Sequence, residues 1–213
     1  MVEKVSSLDH IMWVAPTLET GCEEFEELTG VRPEFGGRHP GFGTHNALAS
    51  LSNNRYIEVL ALDPEQTTNN PIAKQIGEYR KTAIFAFHVH RQELEEVAQI
   101  YNEAGVVCQG PIQLERHRPD GEVLRWRLLF PDFSVFGRAL PIFIDWMDAP
   151  HPANTAPVGC EMTRFDVAHP QCEQLKMLYE KLDVEIATLH SDKAVARAKL
   201  STPKGEVTLS GAL

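Results

Sequence analysis

One pattern of helix-face residues recurs three times along this chain. This repetition limits the folds that the chain can adopt. Each copy begins with a strand-like run, and these runs end at Val14, Val89 and Val167. A helix-like pattern follows and ends sixteen positions later, at Gly30, Gly105 and Asp183. The apolar positions within the helices also coincide, at Cys22, Val97 and Leu175 and again at Phe25, Ile100 and Leu178. Internal repetition at this length predicts a fold made of repeated units.

Further strands follow the helix in each copy. In the first copy they cover residues 31–35, 45–51 and 56–61, and in the second copy residues 106–113, 124–130 and 142–146. The third copy is shorter, with strands at 162–167, 194–200 and 206–210. The sequence therefore predicts an α+β protein of paired βαβββ modules, at residues 1–80 and 81–150, with a degenerate third βαββ unit at 151–213. The Pro- and Ala-rich residues 148–158 read as the linker.

Charge and cysteine usage exclude several classes of function. The formal net charge is −10 and no Lys/Arg cluster is present, which argues against nucleic acid or an anionic membrane as partner. The four cysteines are widely spaced and show no C-x-x-C pattern, which indicates a reduced, cytoplasmic protein. No signal peptide and no apolar run long enough to span a bilayer is evident. A small molecule is therefore the expected partner.

Three stretches of sequence carry a family resemblance. They are Asp9-His10 in the first strand with Glu58 in the last, the run from Gly36 to Leu48, and the segments Leu124-Arg125-Trp126-Arg127 and Phe143-Ile144-Asp145-Trp146. Together they resemble the vicinal oxygen chelate superfamily, which includes glyoxalases, extradiol dioxygenases and bleomycin-resistance proteins, and in particular its glyoxalase-like domain branch. The resemblance covers residues 8–150 well and the remainder loosely. It implies curved sheets around a cavity, and it leaves open a homodimer.

The resemblance also implies a divalent metal held by the first and last strands of two modules. Carried over by position, the first module supplies His10 and Glu58, whereas the matching positions in the second module are Phe85 and Phe143. A four-residue chelate is therefore not expected. His45 is the natural third ligand, and two imidazoles with one carboxylate suit Fe, Mn, Ni or Zn. Two alternatives stay open for His10 and Glu58: a metal-free catalytic or ligand-binding pair, and a hydrogen-bonded pair that only stabilises the sheet.

Several polar residues are candidates for substrate binding. The glycine-rich run can bring backbone amides close to a ligand, and it carries Arg38, His39 and Asn46. It lacks the third glycine of a dinucleotide fingerprint and leads into a strand, so no nucleotide cofactor is expected. In the second module the candidates are Arg125, Arg127 and Asp145. Both arginines share one strand face, which could equally line the cavity or face water. His88 and His90 are expected at the start of a helix connection, as surface or capping groups.

Two functions are consistent with these residues. The first is an enzyme acting on a small polar or anionic metabolite by metal-assisted or general-base chemistry, with Glu58 and His45 as catalytic groups. The alternative is a non-catalytic, small-molecule sequestering protein of the bleomycin-resistance type. The phenylalanines in the second module favour the alternative, and the cluster of His, Glu and Arg in the first module favours the enzyme.

Overall fold

Eight strands of the first two modules close into a barrel. The computed structural model describes residues 6–117 and 121–213. The strands of the first module are β1 (Ser7–Val14), β2 (Glu34–His39), β3 (Thr44–Ser50) and β4 (Tyr56–Leu62). Those of the second are β5 (Ala83–His90), β6 (Cys108–His117), β7 (Val123–Pro131) and β8 (Ile142–Asp145). Their order around the barrel is β1-β4-β3-β2-β6-β7-β8-β5.

The two modules share one pairing scheme, which confirms the predicted paired βαβββ architecture. In the first, β1 runs parallel to β4, and β3 and β2 continue the sheet antiparallel. In the second, β5 runs parallel to β8, followed by β7 and β6. The modules join where β1 pairs antiparallel with β5 and where β2 meets β6. Because the sheet closes on itself, the inward faces of both modules line one interior.

The helices begin and end where local chemistry requires it. Helix α1 (Leu18–Thr29) starts at Thr17, whose hydroxyl accepts from the backbone N–H of Thr20, and ends at Gly30 with φ 81°. Helix α3 is Leu94–Glu103, and α4 is Cys172–Lys181. Helix α2 (Pro71–Gly77) was not predicted, since seven residues are too few to show a helical period. Asn70 caps it and Pro71 opens it.

The third unit contains one strand more than the predicted βαββ pattern. Its strands are β9 (Glu161–His169), β10 (Ala187–His190), β11 (Val195–Thr202) and β12 (Gly205–Ala212), in the order β10-β9-β11-β12. Strand β10 pairs parallel with β9 at the edge of this sheet. It has four largely exposed residues, so the sequence carries no alternation that could reveal it.

Two apolar clusters hold the described part of the chain together. One lies between the outside of the barrel, its helices and the third unit, and it includes Trp13, Phe25, Phe87, Phe165 and Leu200. The other faces the barrel interior and includes Met12, Phe85, Trp126, Ile144 and Trp146. No helix in either described range combines the length and apolar character that crossing a bilayer demands. The second cluster matters for function because it borders the cavity.

Candidate functional site

The barrel contains a cavity of about 150 Å³ with a polar end and an apolar end. One water molecule needs roughly 10–15 Å³ of such space, so the cavity can admit a small organic molecule. Its polar wall comes mainly from the first module and includes His10, His39, Thr44, Asn46, Tyr56 and Glu58. Its apolar wall comes mainly from the second module and from α2, and includes Ile72, Phe85, Trp126, Leu128, Ile142 and Ile144. This asymmetry suits a ligand with one polar and one apolar part.

Glu58 is the carboxylate at the polar end, and it is 7% exposed. Its Oε1 accepts a hydrogen bond of 2.6 Å from Asn46 Nδ2, and the Oδ1 of Asn46 accepts in turn from Arg116 at 3.3 Å. Its Oε2 lies 3.8 Å from His10 Nε2, and its Oε1 lies 3.8 Å from His39 Nε2. Distances of 3.8 Å are too long for hydrogen bonds. One oxygen of Glu58 is therefore held by Asn46, and the other faces an imidazole across a gap.

His10 is oriented by the buried carboxylate of its neighbour in sequence. The register of β1 against β5 shifts between Leu8 and His10, and this irregularity lets two consecutive side chains meet. His10 Nδ1 donates to Asp9 Oδ1 at 2.5 Å. Asp9 Oδ2 accepts from Trp146 Nε1 at 2.9 Å and from His151 Nε2 at 3.0 Å. Because the carboxylate accepts, the arrangement places a proton of His10 on Nδ1 and turns its Nε2 toward Glu58.

The charge state of Asp9 supports this orientation. Burial alone would raise the pKa of Asp9, but hydrogen bonds from His10 and His151 outweigh it and hold that pKa well below its ordinary value. His151 accepts at Nδ1 from the backbone N–H of Ala153, which leaves the proton on the nitrogen that faces Asp9. Asp9 is thus an ionised acceptor, fixed by three donors.

The other rings around Glu58 are neutral at physiological pH. His10 is stacked between Tyr56 at 4.4 Å and His88 at 4.0 Å between ring centroids. Burial raises the pKa of Tyr56 well above its usual value. Burial, with a smaller contribution from the nearby His10, depresses the pKa of His88 far below its usual value. Burial likewise lowers the pKa of His39 to about 4, and its Nδ1 lies 2.9 Å from Thr44 Oγ1. Neutral imidazoles can donate and accept hydrogen bonds at this end of the cavity.

The structure brings together four of the residues singled out from the sequence. His10, His39, Asn46 and Glu58 all line the cavity. They lie on β1, β2, β3 and β4, so every strand of the first module contributes one of them.

The structure does not place the candidate arginines or Asp145 at the cavity. Arg38 forms ion pairs with Asp63 and Glu65 on the face of β2 opposite His39. Arg125 pairs with Glu115, while Arg127 pairs with Asp145 at 2.8 Å and with Glu95 of α3. The inward positions of β7 belong to Leu124, Trp126 and Leu128. Pleating turns these side chains away from the described cavity, and that they bind substrate stays a prediction.

The predicted metal set of His10, His45 and Glu58 is not assembled either. His45 lies between Thr44 and Asn46, both of which line the cavity, so its own side chain points to the other face, edge-on to Phe35. Phe85 lines the cavity, but Phe143 belongs to the core outside the barrel. Within residues 6–117 and 121–213, no group of three or more His, Cys, Asp or Glu side chains is arranged to hold a metal ion. The donor set at the cavity therefore does not fit the divalent metal that the resemblance implies.

Sequence reasoning missed several residues of the cavity wall. His88 lies within β5 opposite His10, and not at the start of a helix connection. The alternation of Phe87, His88 and Val89 was the signal that could have placed it on an inward strand face. Arg138 lies 4.3 Å from the ring centroid of Phe85 and donates to Tyr79 Oη. Asp9, Tyr56 and Arg116 were also missed, because their positions depend on the bulge in β1 and on barrel closure.

Sequence comparison agrees with the architecture. A family model described as a glyoxalase-like domain matches residues 8–182. The chain belongs to this glyoxalase-like family. The family is part of the vicinal oxygen chelate superfamily, as the sequence resemblance predicted. No curated protein matches the chain.

Two solved structures with TM-scores of 0.50 or more show the same fold at low sequence identity. A hypothetical protein from Staphylococcus aureus is 20% identical with a TM-score of 0.65, over 97% of this chain and 85% of that one. A Streptomyces coelicolor methylmalonyl-CoA epimerase variant is 14% identical with a TM-score of 0.50, over 70% of this chain and 99% of that one. The Mycobacterium tuberculosis methylmalonyl-CoA epimerase is 16% identical with a TM-score of 0.47, over 68% and 89%. At such identities the likeness concerns the fold, and function must be argued from the cavity.

Proposed function

We propose that this glyoxalase-like protein is an enzyme that transfers a proton on a small organic acid or carbonyl compound. The observation that supports this most directly is the line of groups from Asp9 through His10 to Glu58. The carboxylate of Asp9 orients the imidazole of His10, whose Nε2 lies 3.8 Å from Glu58 Oε2 in a cavity large enough for a small substrate. A carboxylate and an imidazole held at the wall of a substrate-sized cavity are side chains that general acid–base catalysis commonly uses.

In this proposal Glu58 takes a proton from the substrate, and His10, whose Nε2 lies 3.8 Å from Glu58 Oε2, lies behind it as a relay. Asn46 fixes Oε1 of Glu58, so Oε2 is the oxygen that accepts a proton from the substrate. Neutral His10 receives that proton from Glu58 at Nε2 and gives it back by the same route, and the imidazolium formed in between is stabilised by the anionic Asp9. The present gap between the two groups is wider than a hydrogen bond, as is common before a substrate is bound. No step in this scheme uses a metal.

The cavity walls indicate the class of substrate. Arg116 lies beside Asn46 at the polar end, and Arg138 lies over Phe85 at the apolar end, so each wall has a guanidinium in addition to the carboxylates of Glu58 and Glu115. Guanidinium groups bind carboxylates and phosphates through several donors. Between them the lining is mainly aromatic and aliphatic. We therefore assign an anionic substrate with an apolar portion.

The experiment is exchange of substrate hydrogen for deuterium. Purified protein is incubated in D₂O with 2-oxo acids, 2-hydroxy acids and acyl-CoA thioesters, and proton NMR follows loss of the signal next to the carbonyl. Thioesters are included because the S. coelicolor epimerase of this fold is in complex with 2-nitronate-propionyl-CoA. We expect exchange with at least one class, slowed about 10²–10⁴-fold in Glu58→Gln, the usual contribution of a general base. The matched control is Glu161→Gln, an exposed strand carboxylate.

A sequestering protein is the second candidate, and the mainly apolar lining of the second module favours it. Compounds that raise the melting temperature of the protein but show no exchange, in wild type as in Glu58→Gln, would overturn the enzymatic proposal in its favour.

A further inference from the structure

His88 is a buried residue of the cavity wall that has no role in the proposed proton transfer. It is 4% exposed, lines the cavity and stacks on His10 with ring planes 13° apart. Its Nδ1 is buried, and no group in the described part of the chain forms a hydrogen bond with it. Buried imidazoles usually have hydrogen-bond partners, so this ring calls for an explanation.

We propose that His88 donates a hydrogen bond from Nε2–H to an oxygen atom of the substrate and so fixes its orientation against Glu58 and His10. The inference rests on the proposed function, because it concerns a ligand of the same cavity. It adds a specificity-determining residue on β5 of the second module to a polar site built mainly by the first.

The position of the proton on His88 follows from its surroundings. Two imidazoles with centroids 4.0 Å apart in a buried site cannot both be charged without strong repulsion. His10 is hydrogen-bonded to the anionic Asp9, and burial holds the pKa of His88 far below its usual value, so His88 is the neutral ring. A neutral imidazole carries one N–H. On Nδ1 that N–H would be buried without an acceptor, whereas on Nε2 it can meet a ligand in the cavity.

This arrangement selects the chemistry of the substrate. A neutral ring fixed as a donor prefers an acceptor oxygen, such as that of a carbonyl or carboxylate, and disfavours an ammonium or amide N–H at the same place. The simpler reading is that His88 only packs against His10. The two interpretations make different predictions for a variant in which an aromatic ring without nitrogen replaces His88. Such a ring can replace a packing residue but cannot replace a hydrogen-bond donor.

The first test needs no substrate. The full chain is labelled with ¹⁵N-histidine, and the ring signals of His88 are assigned by their absence in His88→Phe. From pH 5 to pH 8 we expect one unchanging neutral form with the proton on Nε2. A proton on Nδ1, or titration of His88 within that range, would overturn the proposal.

The second test uses any compound that exchanges with deuterium. In His88→Phe we expect KM to rise about tenfold, with a smaller change in kcat, while His88→Gln, which keeps an N–H donor, recovers part of the loss. The control is His190→Phe, at an exposed position on β10. A wild-type KM in His88→Phe would reduce His88 to a packing role.

The design separates this inference from the proposed function. If no compound exchanges, the enzymatic proposal fails, and the NMR experiment is repeated with compounds that raise the melting temperature. A change in the His88 Nε2–H signal on binding supports the inference, and its absence contradicts it. If His88→Phe does not fold, His88→Gln and the ¹⁵N signals of the wild type still decide the question.

Discussion

Asp9 and His10 show how much a single residue pair depends on backbone detail. They are adjacent in sequence, so regular strand alternation would send their side chains to opposite faces. The irregular pairing of β1 with β5 brings Asp9 Oδ1 to 2.5 Å from His10 Nδ1. The sequence resemblance singled out His10 and Glu58. No sequence pattern predicted the bulge in β1 that makes Asp9 the hydrogen-bond partner of His10.

Replacing Asp9 by Asn tests this pairing. The variant keeps the size of the side chain but removes the negative charge that stabilises a protonated His10 and fixes its tautomer. We expect deuterium exchange to slow by about 10²-fold or more, within the usual range for a lost acid–base function. The comparison is Asp148→Asn, at an exposed position outside the cavity. An Asp9→Asn variant that exchanges deuterium at the wild-type rate would show that His10 does not depend on this carboxylate.

His39 makes stability depend on pH. Burial lowers its pKa to about 4, from an ordinary value near 6.5. Between these values the unfolded chain binds a proton and the folded protein does not, so stability is complete above about pH 6.5 and declines as the pH falls toward 4. The loss from this residue alone is about 3 kcal/mol. Urea unfolding of wild type and His39→Gln at pH 7 and pH 4 measures it, with the exposed His190→Gln as control. Equal losses in wild type and His39→Gln would contradict the assignment.

At the scale of elements, sequence periodicity located most helices and strands. It did not show which face of each strand points into the barrel. The sequence shows that Arg125 and Arg127 share a face, and that His45 and Asn46 do not. Which face is inward depends on barrel closure, and hence on the long-range pairing of β1 with β5. Short elements without a full period, α2 and β10, were missed for a local reason.

Arg127 shows that a strand face turned away from the cavity can contribute to stability through ion pairs. Its guanidinium contacts Asp145, which is 5% exposed, and also contacts Glu95 of α3. In Arg127→Met the carboxylate of Asp145 loses its cationic partner in a buried setting, and we expect unfolding to become easier by about 1–3 kcal/mol. Arg125→Met is the matched control, because that arginine is half exposed and pairs with Glu115 at the surface. Its expected effect is below about 1 kcal/mol. Urea unfolding measures both, and equal effects would contradict the outward ion-pair assignment.

At the scale of the whole molecule, the third unit packs on the barrel through a shared core. Apolar residues of β9 and β11, including Phe165 and Leu200, belong to the same cluster as Trp13 and Phe87 of the barrel. The sequence indicated a third copy through its repeat spacing, but repeat spacing cannot say where a unit docks. Because the cluster spans both parts, we expect them to unfold together.

Gly211 is the residue at which this docking can be tested. It lies on β12, and a Cβ placed there would come within 1.9 Å of the backbone oxygen of Ile84 on β5. Backbone atoms cannot move aside as a flexible side chain can, so Gly211→Ala must displace β12 from the barrel. We expect a loss of about 1–3 kcal/mol, which for a chain of this length lowers the melting temperature by roughly 2–12 °C.

Calorimetry then distinguishes a shared core from two independent parts. If the cluster couples the barrel and the third unit, Gly211→Ala lowers the temperature of a single unfolding transition whose calorimetric and van't Hoff enthalpies remain equal. The control is Ser210→Ala, at an exposed position on the same strand, which leaves the transition temperature unchanged. Two separated transitions in the wild type, or an unchanged melting temperature in Gly211→Ala, would show that the third unit does not stabilise the barrel. A coupled result would also link the third unit to the cavity, since Ile84 neighbours Phe85 of its wall and β5 carries His88.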